Sequence, residues 1–295
     1  MTTLPLKVSR YIAMLIGFVI LASCSTPDPH TYAPAQPVEY RFSQAGPYTV
    51  SRIDTPALFG RPRGAAYLPD QPAAPAPLVI WQNGTGVDID TYDAIARHLA
   101  SWGLVVLGSY DTQMGSGQTA IGMLENARLW SQTPDHPFYR RVDTIRFALV
   151  GSSQGAVSAI NAHTNYSAGR AATALAIHGT PTPEAIAFFG LDLEYDTGTV
   201  SAPVFIMTGT KDEFISPIQL NKALFAGLSG PAMRVLGVAD GADHIELADD
   251  AGRMRGYLTA WLSFQLRNDP HAAQAFVGRA EMSANPGWSL VRVEP

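Results

Sequence analysis

Apolar runs rich in branched side chains alternate with longer amphipathic segments along most of the chain. The runs predicted as strands are Leu78–Trp81, Leu104–Leu107, Ile145–Val150, Thr173–Ile177, Val204–Met207 and Met233–Val238. The segments predicted as helices are Asp90–Ser101, Ala120–Trp130, Gln154–His163, Pro217–Leu228 and Asp250–Leu266. In the first of these helices, Ile95, Leu99 and Trp102 keep to one face, and Gly, Pro, Asn and Asp mark the joins between elements.

This alternation predicts the fold class. Strands that are apolar throughout and alternate with helices indicate an α/β protein with a mostly parallel central sheet and helices on both faces. Right-handed crossovers bring the carboxyl ends of the parallel strands to one edge, and ligands of such sheets bind there. We therefore expect the functional residues directly after the strands.

The first 24 residues form a separate segment. Lys7 and Arg10 precede the apolar run Tyr11–Leu21, which is too short for an ordinary membrane-spanning helix and ends in small residues, as a signal peptide does. The letters LASC that end at Cys24 resemble a bacterial lipobox, which implies that this cysteine is acylated and becomes the first residue after cleavage. Cys24 is the only cysteine of the chain. A plain secretory signal with an incidental cysteine is the alternative.

The lipobox resemblance sets the expected location and domain organisation. Ser25 is typical of sorting to the outer membrane, so we expect a lipid-anchored protein of the cell envelope, or a secreted one if Cys24 is not acylated. Residues 25–46 are rich in Pro, Ser, Thr and Gln without periodicity and are predicted to be a flexible tether. Residues 47–295 are predicted to form a single domain, without cysteines for disulfides.

Composition excludes some partners. The chain of 295 residues is 46% hydrophobic and 15% charged, which is an ordinary balance for a globular domain. Its net charge is −5 and it has no long basic run, so nucleic acid is not an expected partner. Clustered Cys and His ligands are absent from the sequence, and we expect neither a metal nor another cofactor.

A nucleophile motif follows the predicted strand Ile145–Val150. The sequence Gly151–Gly155 reads G-S-S-Q-G and leads into a predicted helix, which is the strand–turn–helix context in which G-x-S-x-G exposes a reactive serine. The frame selects Ser153, because Ser152 would need a glycine where Val150 stands. Glycines on both sides let strand and helix approach closely. An ordinary Gly/Ser turn is the alternative.

A serine nucleophile requires a base and an acid that orients the base. Asp212 follows the predicted strand Val204–Met207, and His244 follows Met233–Val238, so both lie at the expected edge in the order serine, acid, histidine. Asp212 could instead be a turn residue or a helix cap. Asp240 and Asp243 are the fallback acids.

Two backbone N–H groups are needed to hold the oxyanion of the reaction. Gln154, the residue after the nucleophile, is one predicted donor, and Thr85 in the loop after Leu78–Trp81 is the other. A phosphate-binding loop is the rival interpretation of that second segment. It lacks the lysine and the full glycine spacing of a P-loop.

The substrate pocket is less well marked. His178 ends a predicted strand at the active edge, and we interpret it as a pocket wall or as a structural histidine. Thr180–Thr199 is too short for a separate lid domain, so no large lid is expected. Phe188, with Phe189 and Leu191, is a candidate apolar wall, and plain packing of a short helix is the alternative.

Taken in order, these segments resemble the chlorophyllase and polyester-hydrolase branch of the α/β-hydrolases, a cutinase-like and dienelactone-hydrolase-like group. The resemblance implies a Ser–Asp–His triad on Ser153, Asp212 and His244, with main-chain oxyanion donors at Thr85 and Gln154. Besides the serine motif, the segments that carry it are Asn83–Gly86, Leu99–Gly103, Val142–Arg146, Gly209–Asp212, Gly241–His244 and Thr259–Leu262.

The resemblance covers roughly residues 60–280, with departures. Ala156 stands where those polyesterases usually carry a further glycine, and His178 stands where they often have a tryptophan. The C-terminal disulfide that many of them have is impossible here. The sequence thus predicts a serine carboxylic-ester hydrolase that forms an acyl-enzyme and acts on a small or polymeric ester. A serine peptidase or amidase with the same triad, and a non-catalytic envelope lipoprotein with this fold, are the alternatives.

Overall fold

A computed structural model of the chain describes residues 37–58, 60–230, 232–248 and 250–294. The predicted signal segment, Cys24 and the first part of the predicted tether lie outside the described residues. The strands of the described part are β1 (Val50–Thr55), β2 (Gly64–Pro69), β3 (Ala76–Gln82), β4 (Val105–Ser109), β5 (Val142–Ser152), β6 (Ala174–His178), β7 (Val204–Gly209), β8 (Arg234–Ala239) and β9 (Trp288–Glu294).

Helices connect and cover these strands. The α-helices of the described part are α1 (Pro37–Ser43), α2 (Asp93–Ser101), α3 (Gln118–Gln132), α4 (Gln154–Asn165), α5 (Ser167–Arg170), α6 (Pro183–Phe188), α7 (Ile218–Gly227), α8 (Arg255–Arg267) and α9 (Pro270–Ala273). Short 3₁₀ helices occupy Ile89–Tyr92, Gly252–Met254 and Glu281–Ala284. Within the part of the chain described above, no helix has the length and hydropathy needed to cross a bilayer.

The strands form one sheet in the order β1-β2-β4-β3-β5-β6-β7-β8-β9 among the described residues. The six strands from β4 to β8 in this order run parallel, while β1, β2 and β9 add antiparallel edges. The carboxyl ends of β5, β6, β7 and β8 therefore lie side by side. The mostly parallel α/β architecture predicted from the sequence is confirmed.

The core consists of two apolar layers, one on each face of the sheet. Strand β3 is buried along its whole length because both of its faces are covered. Its side chains alternate between the layers: Val79 and Trp81 pack on the side of α1, α2 and α8, whereas Leu78 and Ile80 pack on the side of α3, α4 and α7.

Several boundaries differ from the sequence prediction. All six predicted strands are present, and the one predicted at Ile145–Val150 extends to Val142–Ser152. The helix expected over Asp90–Ser101 begins with a 3₁₀ turn, and the helix expected from Asp250 becomes α-helical only at Arg255. The antiparallel strands β1, β2 and β9 were not predicted. The edge strands β1 and β9 have exposed positions and lack the apolar run of a central strand. Strand β2 is buried, but it begins with Gly64 and two alanines, which are uncommon in strands.

Residues 37–46 correct the predicted tether, which was placed over 25–46. Here the chain forms helix α1, whose Val38 and Phe42 are buried in the core layer that contains α8. The buried Glu39 carboxylate accepts hydrogen bonds from Asn285 Nδ2 at 2.8 Å and from Trp288 Nε1 at 3.1 Å. Val38 and Phe42 are four residues apart and therefore share one face of the helix. A single pair of this kind does not reveal a helical period in the sequence.

The docking of α1 predicts a stability effect. Replacing the fully buried Phe42 (Phe42→Ala) should lower the free energy of unfolding by about 3–5 kcal/mol, because a large cavity replaces the ring. Tyr40→Ala on the same helix is the control: Tyr40 is 55% exposed, and its loss should cost less than about 0.5 kcal/mol. Urea unfolding followed by tryptophan fluorescence measures both. Equal effects of the two substitutions would show that α1 is not docked.

Candidate active site

Ser153 lies in a sharp turn between β5 and α4. Its backbone has φ 57° and ψ −122°, a conformation that is strained for any residue with a side chain. A Cβ at Gly151 would lie 2.0 Å from the Gly155 carbonyl oxygen, and a Cβ at Gly155 would lie 2.0 Å from that of Gln82. Both positions therefore require glycine, and the close approach of strand and helix holds the serine in its strained turn.

The structure brings Ser153, His244 and Asp212 together from the carboxyl ends of β5, β8 and β7, which lie at the same edge of the sheet. The Ser153 Oγ atom lies 2.9 Å from His244 Nε2, and His244 Nδ1 lies 2.7 Å from Asp212 Oδ2. An ionised carboxylate only accepts hydrogen bonds, so Nδ1 carries the proton and Nε2 is left to accept the serine hydroxyl. The structure thus brings together the three side chains that the sequence order predicted to be nucleophile, base and orienting acid.

Asp212 is held in its ionised form. Burial of the carboxyl group would raise its pKa, but the hydrogen bond and charge of His244, with the Ser216 N–H that donates to Oδ1 at 3.0 Å, outweigh burial and leave the pKa below its ordinary value. A buried anion at this point accepts the Nδ1–H hydrogen bond and fixes the orientation of the imidazole ring. Asp240 and Asp243, the fallback acids, make no hydrogen bond to His244 within the described residues.

Gly179, just after β6, makes room for the imidazole. Its φ is +61°, and an added Cβ would lie 3.0 Å from Cε1 and 3.1 Å from Nδ1 of His244. Any other residue here would be strained and would press on the ring. The sequence signal for this position is the pair His178-Gly179 at the end of a predicted strand.

The two predicted oxyanion donors flank the serine. Gln154 is the first residue of α4, so its N–H has no carbonyl partner inside the helix. The N–H of Thr85 makes no hydrogen bond to any residue that the structure describes. Next to Thr85, Gly84 packs so closely that an added Cβ would lie 3.5 Å from Ser153 Cβ. Both N–H groups are thus available beside the nucleophile.

Side-chain hydrogen bonds that the sequence did not predict hold these two donor positions in place. Asn83 Nδ2 donates to the carbonyl oxygens of Ser109 and Asp111 at 2.8 and 2.9 Å. The Gly84 N–H donates to the Tyr92 hydroxyl at 3.1 Å. The Gln154 side chain accepts the Met114 N–H at 2.8 Å. Both donor positions are therefore tied to the loop that follows β4.

His178 is not part of the pocket wall. It is completely buried, its Nδ1 atom lies 3.1 Å from Ser152 Oγ, and its ring stacks against His244 with centroids 6.3 Å apart. Burial, reinforced by the charge of His244, lowers the pKa of His178 from 6.5 to about 3. The strand pleat turns this side chain to the same sheet face as Ser152, so it supports the site as a neutral imidazole from behind the triad.

An apolar cleft of about 190 Å³ opens at the triad. Two of the apolar wall residues suggested by the sequence, Phe189 and Leu191, line it. Phe188 lies further out and is exposed, with its ring packed edge-on against Phe189. The lining residues are Gly84, Thr85, Val87, Thr91, Tyr92, Ser152, Ser153, Pro181, Ile186, Phe189, Leu191, Ile215, His244, Ile245 and Ala248.

Comparison with known proteins gives one family match. The model of the dienelactone hydrolase family matches residues 63–228, which is more than half of the chain. The match includes the strained turn at Ser153 and the Asp212 loop, and it ends before His244. No curated protein shows significant similarity to the chain.

The buried His178 predicts a pH dependence of stability. Its folded-state pKa lies below the ordinary value of 6.5, so the unfolded chain takes up a proton that the folded protein excludes. The stability contributed by this residue is present above about pH 6.5 and is lost as the pH falls towards 3. His178→Gln should make the free energy of unfolding less pH-dependent by up to about 1.4 kcal/mol per pH unit between about pH 6 and 4. Urea unfolding across this range tests it; parallel curves for the two proteins would contradict it.

Proposed function

The chain belongs to the dienelactone hydrolase family and is thus a hydrolase of the α/β type, and on that premise we propose that it is a serine carboxylic-ester hydrolase with Ser153, His244 and Asp212 as catalytic residues. One observation carries the proposal: the continuous hydrogen-bonded chain from Ser153 Oγ through His244 to the buried Asp212 carboxylate, with the serine in a strained turn. A structural serine has no need of such an arrangement.

The proposed first half of the reaction transfers the acyl group to the enzyme. Ser153 Oγ attacks the ester carbonyl carbon while His244 Nε2 removes the hydroxyl proton. Asp212 stabilises the imidazolium that forms. The carbonyl oxygen becomes negative and receives hydrogen bonds from the N–H groups of Thr85 and Gln154. His244 then gives its proton to the departing alcohol.

The second half releases the acid. Water takes the place of the alcohol, His244 accepts its proton, and the hydroxide attacks the acyl carbon of the Ser153 ester. Collapse of the second tetrahedral intermediate breaks the bond to Ser153 Oγ, which takes back the proton from His244. The side-chain ties at Asn83 and Gln154 keep the oxyanion donors in place through both halves.

Location remains a proposal from the sequence. We propose that Cys24 carries a lipid that anchors the protein in the cell envelope, at the outer membrane. The support is the short apolar segment before Cys24 and the lipobox resemblance; this residue lies outside the described part of the chain. Polyester cleavage, which the narrower family resemblance suggests, is likewise a proposal.

The direct test of the nucleophile is a pair of serine variants. We expect the chain from Ser25 onward to hydrolyse p-nitrophenyl acetate, and Ser153→Ala to reduce kcat by at least about 10³-fold, since the acyl-enzyme cannot form. Ser152→Ala is the matched control and should retain activity within about tenfold. Equal rates for wild type and Ser153→Ala would reject the proposed function.

The acid can be tested separately. Asp212→Asn keeps the shape of the side chain but removes the charge that sets the histidine tautomer, so kcat should fall by about 10³–10⁴-fold. Asp240 lies in the loop that also carries His244 but makes no hydrogen bond to it among the described residues, so Asp240→Asn should change kcat by less than about twofold. The measurement is steady-state hydrolysis of p-nitrophenyl acetate. A large fall of kcat in Asp240→Asn and none in Asp212→Asn would assign the role of the acid to Asp240.

Ester and amide specificity requires a matched pair of substrates. p-Nitroacetanilide and p-nitrophenyl acetate share the acyl group and differ in the leaving atom. Under conditions in which p-nitrophenyl acetate is hydrolysed readily, we expect no detectable hydrolysis of p-nitroacetanilide. Comparable kcat/KM values for both would favour the peptidase or amidase alternative.

A further inference from the structure

Three large apolar side chains stand exposed around the mouth of the cleft. Phe188 is 58% exposed, Phe214 is 62% exposed and Ile245 is 51% exposed. They come from the end of α6, the loop after β7 and the residue after His244. We call these three residues the rim face. Exposed apolar groups that lie together, rather than singly, mark interaction sites on soluble proteins.

The rim face is continuous with the interior of the cleft. The Phe188 ring packs edge-on against Phe189, with centroids 5.3 Å apart, and against Phe214, with centroids 5.7 Å apart. Phe189 and Ile245 both line the cleft beside Ser153. Apolar side chains therefore lead from the cleft beside Ser153, through Phe189, to the exposed rings of Phe188 and Phe214.

The cleft alone is small. Its volume of about 190 Å³ lies below the 300–1,000 Å³ of typical small-molecule pockets. A short acyl group fits inside, but a longer one has to leave by the mouth. The rim face lies at that exit. A longer apolar chain would therefore lie on the exposed rings, and removal of both apolar surfaces from water would favour binding.

The charge of the lining limits the kind of chain that can follow this path. Among the described residues that line the cleft there is no Asp, Glu, Lys or Arg side chain. A charged group that entered the cleft would lose water without gaining an ionic partner, which is costly. An uncharged hydrocarbon or aromatic chain has no such cost.

We infer that Phe188 and Phe214 form an outer subsite that binds the apolar chain of uncharged esters too long for the cleft. This inference rests on the proposed esterase function and adds its substrate class: neutral esters with extended apolar acyl groups. The two rings act as specificity-determining residues, which contact the distal part of the substrate and leave the reacting atoms to the triad.

The test compares a short and a long ester in the same protein. The quantity measured is kcat/KM for p-nitrophenyl octanoate divided by kcat/KM for p-nitrophenyl acetate, at octanoate concentrations below micelle formation. This ratio is independent of the fraction of active protein. In Phe188→Ser/Phe214→Ser we expect the ratio to fall about tenfold, as apolar contact with the distal chain is lost.

Two further variants sharpen the result. Phe214→Leu keeps an apolar side chain and should retain most of the wild-type ratio. Ile145→Ser removes an apolar residue that is even more exposed, at 83%, and lies towards the opposite end of β5 from Ser153, so it should leave the ratio unchanged. An anionic ester of similar length, mono-p-nitrophenyl suberate, should have a kcat/KM at least about tenfold below that of octanoate in the wild type.

The outcomes separate this inference from the proposed function. Turnover of acetate with a ratio that the double substitution leaves unchanged would overturn the outer subsite and leave the esterase proposal standing. A wild type that hydrolyses acetate but not octanoate would overturn the subsite as well. Failure to hydrolyse either ester would overturn both.

Discussion

At Ser153 the chain reverses from β5 into α4 through a backbone conformation, φ 57° and ψ −122°, that costs roughly 1–3 kcal/mol. The reversal is held from both sides: the Ser153 N–H donates to the His178 carbonyl oxygen at 2.8 Å, and Gly151 and Gly155 allow strand and helix to touch. The same turn places Ser153 at the carboxyl edge of the sheet and leaves the Gln154 N–H without a partner among the described residues. The proposed nucleophile and one proposed oxyanion donor thus depend on one strained turn.

The surrounding residues serve to keep this turn and its partners in register. Asp212 and His244 approach from adjacent strand ends, which a parallel sheet places side by side. Gly179 leaves space for the imidazole, and the neutral His178 supports it from behind. When each group of a site is held in place by its neighbour, little free energy is spent on moving these groups as charge develops in the transition state.

The sequence was most informative where a short motif directly follows a predicted strand, which is where parallel sheets carry their functional residues. Ser153, Asp212 and His244 could be predicted to lie together because each follows a largely apolar strand, in the chain order expected for such a site. The role of His178 could not be assigned, since the face to which it points depends on the pairing of β6 with β5 and β7. The ties from Asn83 and from the Gln154 side chain join segments about 26–40 residues apart, and no local pattern encodes such contacts.

Helix α1 changes the geometry of the proposed membrane attachment. The sequence suggested a tether as far as residue 46, but α1 is already packed on the core from Pro37. Twelve residues, 25–36, separate Cys24 from Pro37, the first residue of α1, and no conformation of twelve residues can span more than about 40 Å. If Cys24 carries the proposed lipid, that length would confine the hydrolase to a thin layer above the bilayer, within reach of substrates that collect near the membrane surface.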